Sequence, residues 1–105
     1  MNDAISSARV VCRTPSPSKL PVRIPKWKFD RLRSLLLQHI PDIPPGLAFT
    51  ELAAAIRPCL TDLELETLGS LNWHLTTVKL ELEVRGELQR LQVAGRQHLV
   101  RRVKR

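Results

Sequence analysis

The sequence predicts an α+β domain with a winged helix-turn-helix fold, in which three helices form the core and a C-terminal β-hairpin follows as the wing. Three observations support this prediction. Apolar residues recur at helical spacing in two long segments, a short apolar segment separates the first two predicted helices, and the apolar spacing becomes alternating near the C-terminus. A chain of 105 residues suffices for one such domain. The competing prediction is a plain three-helix bundle with an irregular basic tail.

Residues 1–25 are predicted to form a flexible, proline-rich and basic N-terminal arm, and residues 26–105 the winged-helix domain. Four prolines interrupt the arm at short intervals: Pro15, Pro17, Pro21 and Pro25. Proline breaks helices and cannot donate to a strand ladder, so we expect extended or disordered backbone there. Within the arm, residues 22–24 alternate apolar and polar side chains and are compatible with a short edge strand.

The first helix is predicted over residues 26–40, because its apolar side chains share one helical face. These side chains are Phe29, Leu32, Leu36 and Ile40. Pro41 ends this helix. A short strand is predicted at residues 47–49, and Thr50 then caps a second helix that Pro58 limits to about two turns.

The third main helix is predicted over residues 71–85. Its core positions lie at i, i+4, i+7 and i+11: Leu71, Leu75, Val78 and Leu82. Before it, residues 61–64 have the form of a capping box that opens a short helical turn through Leu68. After it, the alternation from Leu91 to Val103 predicts the two strands of the hairpin, joined by a turn at residues 94–96.

Positive charge is concentrated at the two ends of the chain, whose formal net charge is +7. Residues 1–33 contain eight Lys and Arg against two Asp and Glu, and residues 87–105 contain six against one. Residues 34–86 contain three against seven, so the middle is mildly acidic. A basic surplus of this size favours an acidic partner, and that partner would meet the ends first.

Charge and helix order together predict DNA binding, with a transcription-related role. The third helix would enter the major groove with Asn72, His74, Thr76, Thr77 and Lys79. The wing would bring to phosphates or to the minor groove the side chains of Arg96, Gln97, Arg101 and Arg102. The start of the first helix would anchor the DNA backbone through Lys26, Lys28 and Arg31. Phosphate contacts dominate this set, so we expect weak, salt-sensitive binding with little sequence specificity.

The alternative function is a protein-interaction module or a homodimerising adaptor. The acidic side chains of the middle can bind a basic stretch, either the chain's own arm or that of a second copy: Glu64, Glu66, Glu81 and Glu83. The position of the cations separates the two functions. A shared face for Lys79, Arg96 and Arg102 favours DNA, whereas a wing that folds against the acidic middle favours a protein partner.

The sequence predicts neither an enzyme nor a cofactor or metal site. It contains no GxSxG, HExxH or phosphate-binding glycine-rich motif, and its three histidines lie far apart. Cys12 and Cys59 are predicted to be free thiols in a reducing cytoplasm, because two cysteines are too few for a disulfide framework. No apolar run is long enough for a bilayer, so no membrane partner is expected.

Three segments resemble a family of small, uncharacterised bacterial proteins with a winged-helix-like fold. They are KFDRLR at residues 28–33, PGL at residues 45–47 and WHLTTVKLELEVRG at residues 73–86. The similarity extends over roughly residues 26–90. Family members often carry a second Trp where this chain has His74, and a glycine-rich stretch where it has residues 65–69. The resemblance implies the fold and no catalytic residues.

Overall fold

In the computed structural model, residues 8–102 are described, and they form an α+β fold with four α-helices and two small antiparallel sheets. The first elements are β1 (Arg9–Cys12), β2 (Val22–Pro25) and α1 (Lys26–His39). The next are β3 (Leu47–Ala48), α2 (Leu52–Ile56), α3 (Asp62–Leu68) and α4 (Leu71–Val84). The last are β4 (Leu88–Val93) and β5 (Arg96–Arg101). Short 3-10 turns flank α2 on both sides.

The core lies between α1 and α4, and the apolar stripes predicted for both helices are confirmed. Phe29, Leu32, Leu36 and Ile40 are all buried. So are Leu71, Leu75, Val78 and Leu82. The guanidinium of Arg85 stacks over the Phe29 ring at 4.7 Å and joins the ends of the two helices. Removal of these apolar surfaces from water is the main favourable contribution to the fold.

The second sheet has the strand order β3–β5–β4, so the C-terminal hairpin pairs with the short strand that follows α1. Leu99 of β5 lies opposite Leu47 on one side and Arg90 on the other. Gly46 has φ +69°, and a Cβ at this position would collide with the Leu99 carbonyl, so glycine lets β3 approach β5. The hairpin begins at Leu88, three residues before the predicted start, and the predicted end at Val103 lies outside the described residues.

Residues 61–68 form a helix of seven residues with its cap, where the sequence predicted a single turn. The predicted capping box is confirmed. The Thr61 hydroxyl accepts from the Glu64 backbone N–H at 3.0 Å, and the Glu64 carboxylate accepts from the Thr61 N–H at 2.9 Å. These two bonds satisfy backbone donors that a helix otherwise leaves without partners. The core is therefore built from four helices rather than three.

The N-terminal segment differs most from the prediction, because residues 9–25 form an ordered hairpin instead of a flexible arm. Strands β1 and β2 pair in antiparallel register, and the chain's Cys12 and Ile24 are 1% and 2% exposed. Three of the four prolines fall in the loop between the strands, where no ladder hydrogen bond is lost. The first seven residues of the predicted arm lie outside the described residues.

The docked hairpin makes a prediction about thiol reactivity. Burial, together with the charge of Glu81, raises the pKa of Cys12 to about 11. In a Cys59→Ser variant, which leaves Cys12 alone, we expect an aromatic disulfide reagent at pH near 8 to react about 100-fold more slowly with native than with unfolded chain. In the matched Cys12→Ser variant, the half-buried Cys59 should react readily in the native state. Equal native rates for the two variants would contradict a docked hairpin.

Candidate functional site

Lys79 was predicted to contact DNA, but its side chain is buried at the centre of the molecule. Its ammonium donates to Glu83 Oε2 at 2.6 Å and to Gln97 Oε1 at 2.9 Å, and it lies 5.0 Å from the centroid of the Phe49 ring. Burial lowers the pKa of Lys79, and the Glu83 carboxylate acts in the opposite direction. Lys79 and Gln97 therefore join α4 to the C-terminal hairpin, and the Lys79 ammonium is satisfied within the chain.

His74, which was also predicted to contact DNA, is likewise buried and only 8% exposed. Its Nδ1 lies 2.7 Å from the Ser70 carbonyl oxygen, one turn earlier in the same helix. Its ring packs edge-to-face against Trp73 with 4.9 Å between the centroids. His74 is buried because it lies beside the buried stripe of α4, next to Leu75. His74 is thus part of the packing of this helix.

Glu81 is a buried carboxylate that binds two arginines. The Arg13 backbone N–H, Nε and Nη2 donate to it at 2.8, 3.0 and 2.7 Å, and Arg85 Nε donates at 2.7 Å. The Glu81 side chain is 1% exposed. Burial opposes its ionisation, but the hydrogen bonds from Arg13 and Arg85 outweigh burial and lower the pKa of Glu81 to about 2. This cluster attaches the N-terminal hairpin to α4.

Glu83, two residues later in α4, forms a second cluster, which includes a side chain of the C-terminal hairpin. It binds the Lys79 ammonium and, through Oε1, the Arg90 Nη2 at 3.2 Å. The predicted acidic middle therefore binds basic side chains of the same chain, from the hairpin at Glu81 and from the wing at Glu83. Of the four predicted carboxylates, Glu64 binds Arg31 at 3.0 Å, and Glu66 is exposed with no ion pair among residues 8–102.

The predicted cations at the start of α1 are partly used inside the chain. Lys26 pairs with Asp30 one turn later. Arg31 also donates to the Cys59 carbonyl at 2.9 Å, so it ties α1 to the segment after α2. Lys28 lies 5.8 Å from the centroid of the Trp27 ring and makes no ion pair within the described part of the chain. Lys26 and Arg31 therefore already have partners within the chain.

On the wing, Arg96 is exposed and makes no ion pair within residues 8–102. Arg102 is exposed and donates to Gln89 at 3.4 Å, across the hairpin. Arg101 lies 3.8 Å from an Asp42 oxygen and donates to the Ile40 carbonyl at 3.4 Å. Two of the four predicted wing residues thus remain available to a partner.

The outward-facing side chains in the first half of α4 are uncharged. Asn72 is exposed, Thr76 and Thr77 are half-buried, and Trp73 is 48% exposed. Trp73 flanks the buried stripe of α4. The loop of the N-terminal hairpin lies beside it, and Leu20 there is 87% exposed. We call the channel between this loop and α4 the hairpin–α4 groove.

Among residues 8–102, no group of three or more His, Cys, Asp and Glu side chains is placed to hold a metal ion. None of the helices in that range is long and apolar enough to cross a membrane.

The Glu81 cluster predicts a specific dependence of stability on pH. Because the pKa of Glu81 falls from an ordinary 4.5 to about 2 on folding, its stabilisation is complete above pH 4.5 and is lost as the pH falls toward 2. We expect Glu81→Gln to lower the free energy of unfolding at pH 7 by about 3 kcal/mol and to flatten its fall in acid, measured by urea unfolding. The exposed Glu66→Gln is the matched control. Parallel pH curves for wild type and Glu81→Gln would contradict the cluster's role.

Comparison with known proteins gives a family and no function. A search of curated proteins found no match, and a search of solved structures found none. A family model matches residues 9–99, which include the N-terminal hairpin, all four helices and most of the wing. The chain therefore belongs to DUF6958, a family of unknown function.

Proposed function

We propose that this chain is a protein-binding module of the winged-helix type whose partner is an acidic protein. The observation that carries the proposal is the uncharged outward side of the first half of α4, with Trp73 48% exposed, together with the burial of Lys79. A helix that reads DNA brings Arg, Lys, Asn or Gln to base edges, and here Asn72 alone remains of such residues. Exposed tryptophan is instead typical of protein interfaces.

The order of elements supports the winged-helix part of the proposal. A short strand lies between the first two helices and pairs with a hairpin that follows the last helix. The chain departs from the simple plan in its fourth helix and in its N-terminal hairpin, which pack against the core. The wing contacts Glu83 through Arg90 and Lys79 through Gln97. A wing folded against the acidic middle is the arrangement that favours a protein partner.

Charge decides between a second copy and a different protein. Each chain carries a formal charge of +7, so two copies repel one another, whereas an acidic protein is attracted. The proposal therefore assigns a heterologous partner and a monomeric chain. Two free cysteines agree with a cytoplasmic location, where thiols stay reduced.

The test replaces Trp73 by a photo-crosslinking amino acid in living cells and identifies the adduct. The same replacement of Leu63, which is 71% exposed on α3, is the positional control. With the purified partner, we expect Trp73→Ala to weaken binding at least tenfold, because buried tryptophans dominate interface energies. Trp27→Ala, which removes a tryptophan that is 39% exposed on α1, should leave binding unchanged. An adduct pattern identical at positions 73 and 63, or a chain that is dimeric by sedimentation, would overturn the proposal.

DNA binding is the second candidate, and the free wing arginines favour it. Arg96 and Arg102 are exposed and neither forms an ion pair within residues 8–102. If DNA is the partner, random-sequence duplex DNA should bind at about 50 mM salt and be released steeply at higher salt, read by fluorescence anisotropy. Arg96→Ala should then reduce, by about one, the slope of the logarithm of the binding constant against the logarithm of the salt concentration. Arg57→Ala, at an exposed site outside the C-terminal hairpin, should leave that slope unchanged. Absence of binding at low salt would exclude this candidate.

A further inference from the structure

The hairpin–α4 groove is continuous along the outer flank of α4. Two adjoining depressions of about 220 and 420 Å³ share Thr14, Lys19 and Leu80 in their walls. The first reaches Trp73 near the start of the helix, and the second reaches Arg90 of the wing. The groove therefore extends from the first turn of α4 to the wing.

Several apolar side chains that line this groove are exposed to solvent. Trp73 is 48% exposed, Leu20 is 87% exposed and Val22 is 38% exposed, and Leu80 is half-buried between them. These side chains come from two separate elements, the hairpin and α4, and together line the first depression. A contiguous apolar surface on a small protein marks a place where a ligand or a partner binds.

The rim of the groove is positive, although α4 carries two glutamates there. Glu81 binds both Arg13 and Arg85, so that cluster has one uncompensated positive charge. Glu83 binds both Lys79 and Arg90, and that cluster also has one. The carboxylates are nearly buried, whereas the Arg13 and Arg90 side chains remain 54% and 42% exposed.

Lys19 adds a third positive charge at the centre of the groove. It lies in the walls of both depressions and makes no ion pair within residues 8–102. Its backbone N–H donates to the Ser16 carbonyl at 3.3 Å, which holds the loop in a turn. The ammonium group is therefore free to meet a carboxylate of a partner.

We infer that the groove is the docking site for an acidic amphipathic segment of the partner protein. Apolar side chains of that segment would cover Trp73 and Leu20, and its carboxylates would meet Lys19 and Arg90. The inference rests on the proposed function and adds the chemistry of the partner. A nucleic acid shares the preference for a positive rim, and its bases can stack on Trp73, but it would leave the aliphatic Leu20 and Val22 uncovered, so it is an outcome of the test.

The test uses the full chain with Trp27→Phe, so that emission comes from Trp73 alone. The probe is a labelled amphipathic peptide of about twelve residues with Leu and Phe at helical spacing and Glu at the other positions. A second peptide has Lys in place of every Glu, and an oligothymidylate of similar length is the nucleic-acid probe. We expect the acidic peptide to bind and to shift Trp73 emission to the blue, and the other two probes to do neither.

Matched substitutions locate the binding. Lys19→Glu and Leu20→Ser should each raise the dissociation constant of the acidic peptide at least tenfold. Arg57→Glu and Leu63→Ser change exposed residues outside the groove in the same way and should have no effect. All four positions are exposed, so circular dichroism should show native folding in every variant.

The outcomes separate this inference from the proposed function. Equal binding of the acidic and basic peptides, no binding of the acidic peptide, or a larger Trp73 response to oligothymidylate overturns the groove assignment. If binding of the crosslinked partner is weakened by Trp73→Ala but not by Lys19→Glu or Leu20→Ser, the groove assignment is also overturned. The proposal of a protein-binding module then still stands. Absence of any partner at position 73 overturns the module itself.

Discussion

The buried carboxylate of Glu81 is the interaction on which the arrangement of this molecule depends. It lies at the meeting point of the N-terminal hairpin and α4, and it accepts hydrogen bonds from Arg13 on one and Arg85 on the other. Arg85 in turn stacks on Phe29 of α1. One ionised group therefore fixes three elements, and a buried charge of this kind is tolerated only while its partners are present. The groove exists because the hairpin is held beside α4 in this way.

The helical core could be predicted from the sequence because burial along a helix follows spacing. The stripes through Leu32 and Leu75 obey that rule, and the capping box at Thr61 is a local signal of four residues. Wing strands could be predicted from alternation, although their first residues were missed because Glu87 and Gln89 flank Leu88 without a clear apolar pattern.

The candidate site was much less predictable, because it depends on contacts distant in sequence. Lys79 was assigned to the surface from its charge, yet the carboxylate of Glu83 and the amide of Gln97 satisfy it inside. The hairpin was missed because prolines in its loop suggested an arm, while the register between Arg9 and Pro25 pairs residues far apart along the chain. One signal of this pairing was present in the sequence. Lys79 and Glu83, and Glu81 and Arg85, are each four residues apart, and a cation and a glutamate at that spacing on a helix can form an ion pair.

The two clusters on α4 connect the fold to the proposed function. Internal pairing neutralises the charged side chains of α4 and leaves tryptophan and threonine outward. The surplus positive charge moves to the hairpin and the wing, on either side of the apolar side chains that line the groove. A surface of this composition suits a protein segment that carries both carboxylates and apolar side chains.

The sharing of Glu81 between two arginines also constrains how the sequence can diverge. Loss of Arg13 or Arg85 alone leaves the buried Glu81 carboxylate with one arginine partner instead of two. Loss of Glu81 alone leaves both arginines without a carboxylate partner. We therefore expect single substitutions at these positions to destabilise the chain more than a joint replacement by apolar residues. Within the family, we expect the residues at positions 13, 81 and 85 to covary. Such covariation would indicate that the N-terminal hairpin is attached to α4 in other members as well.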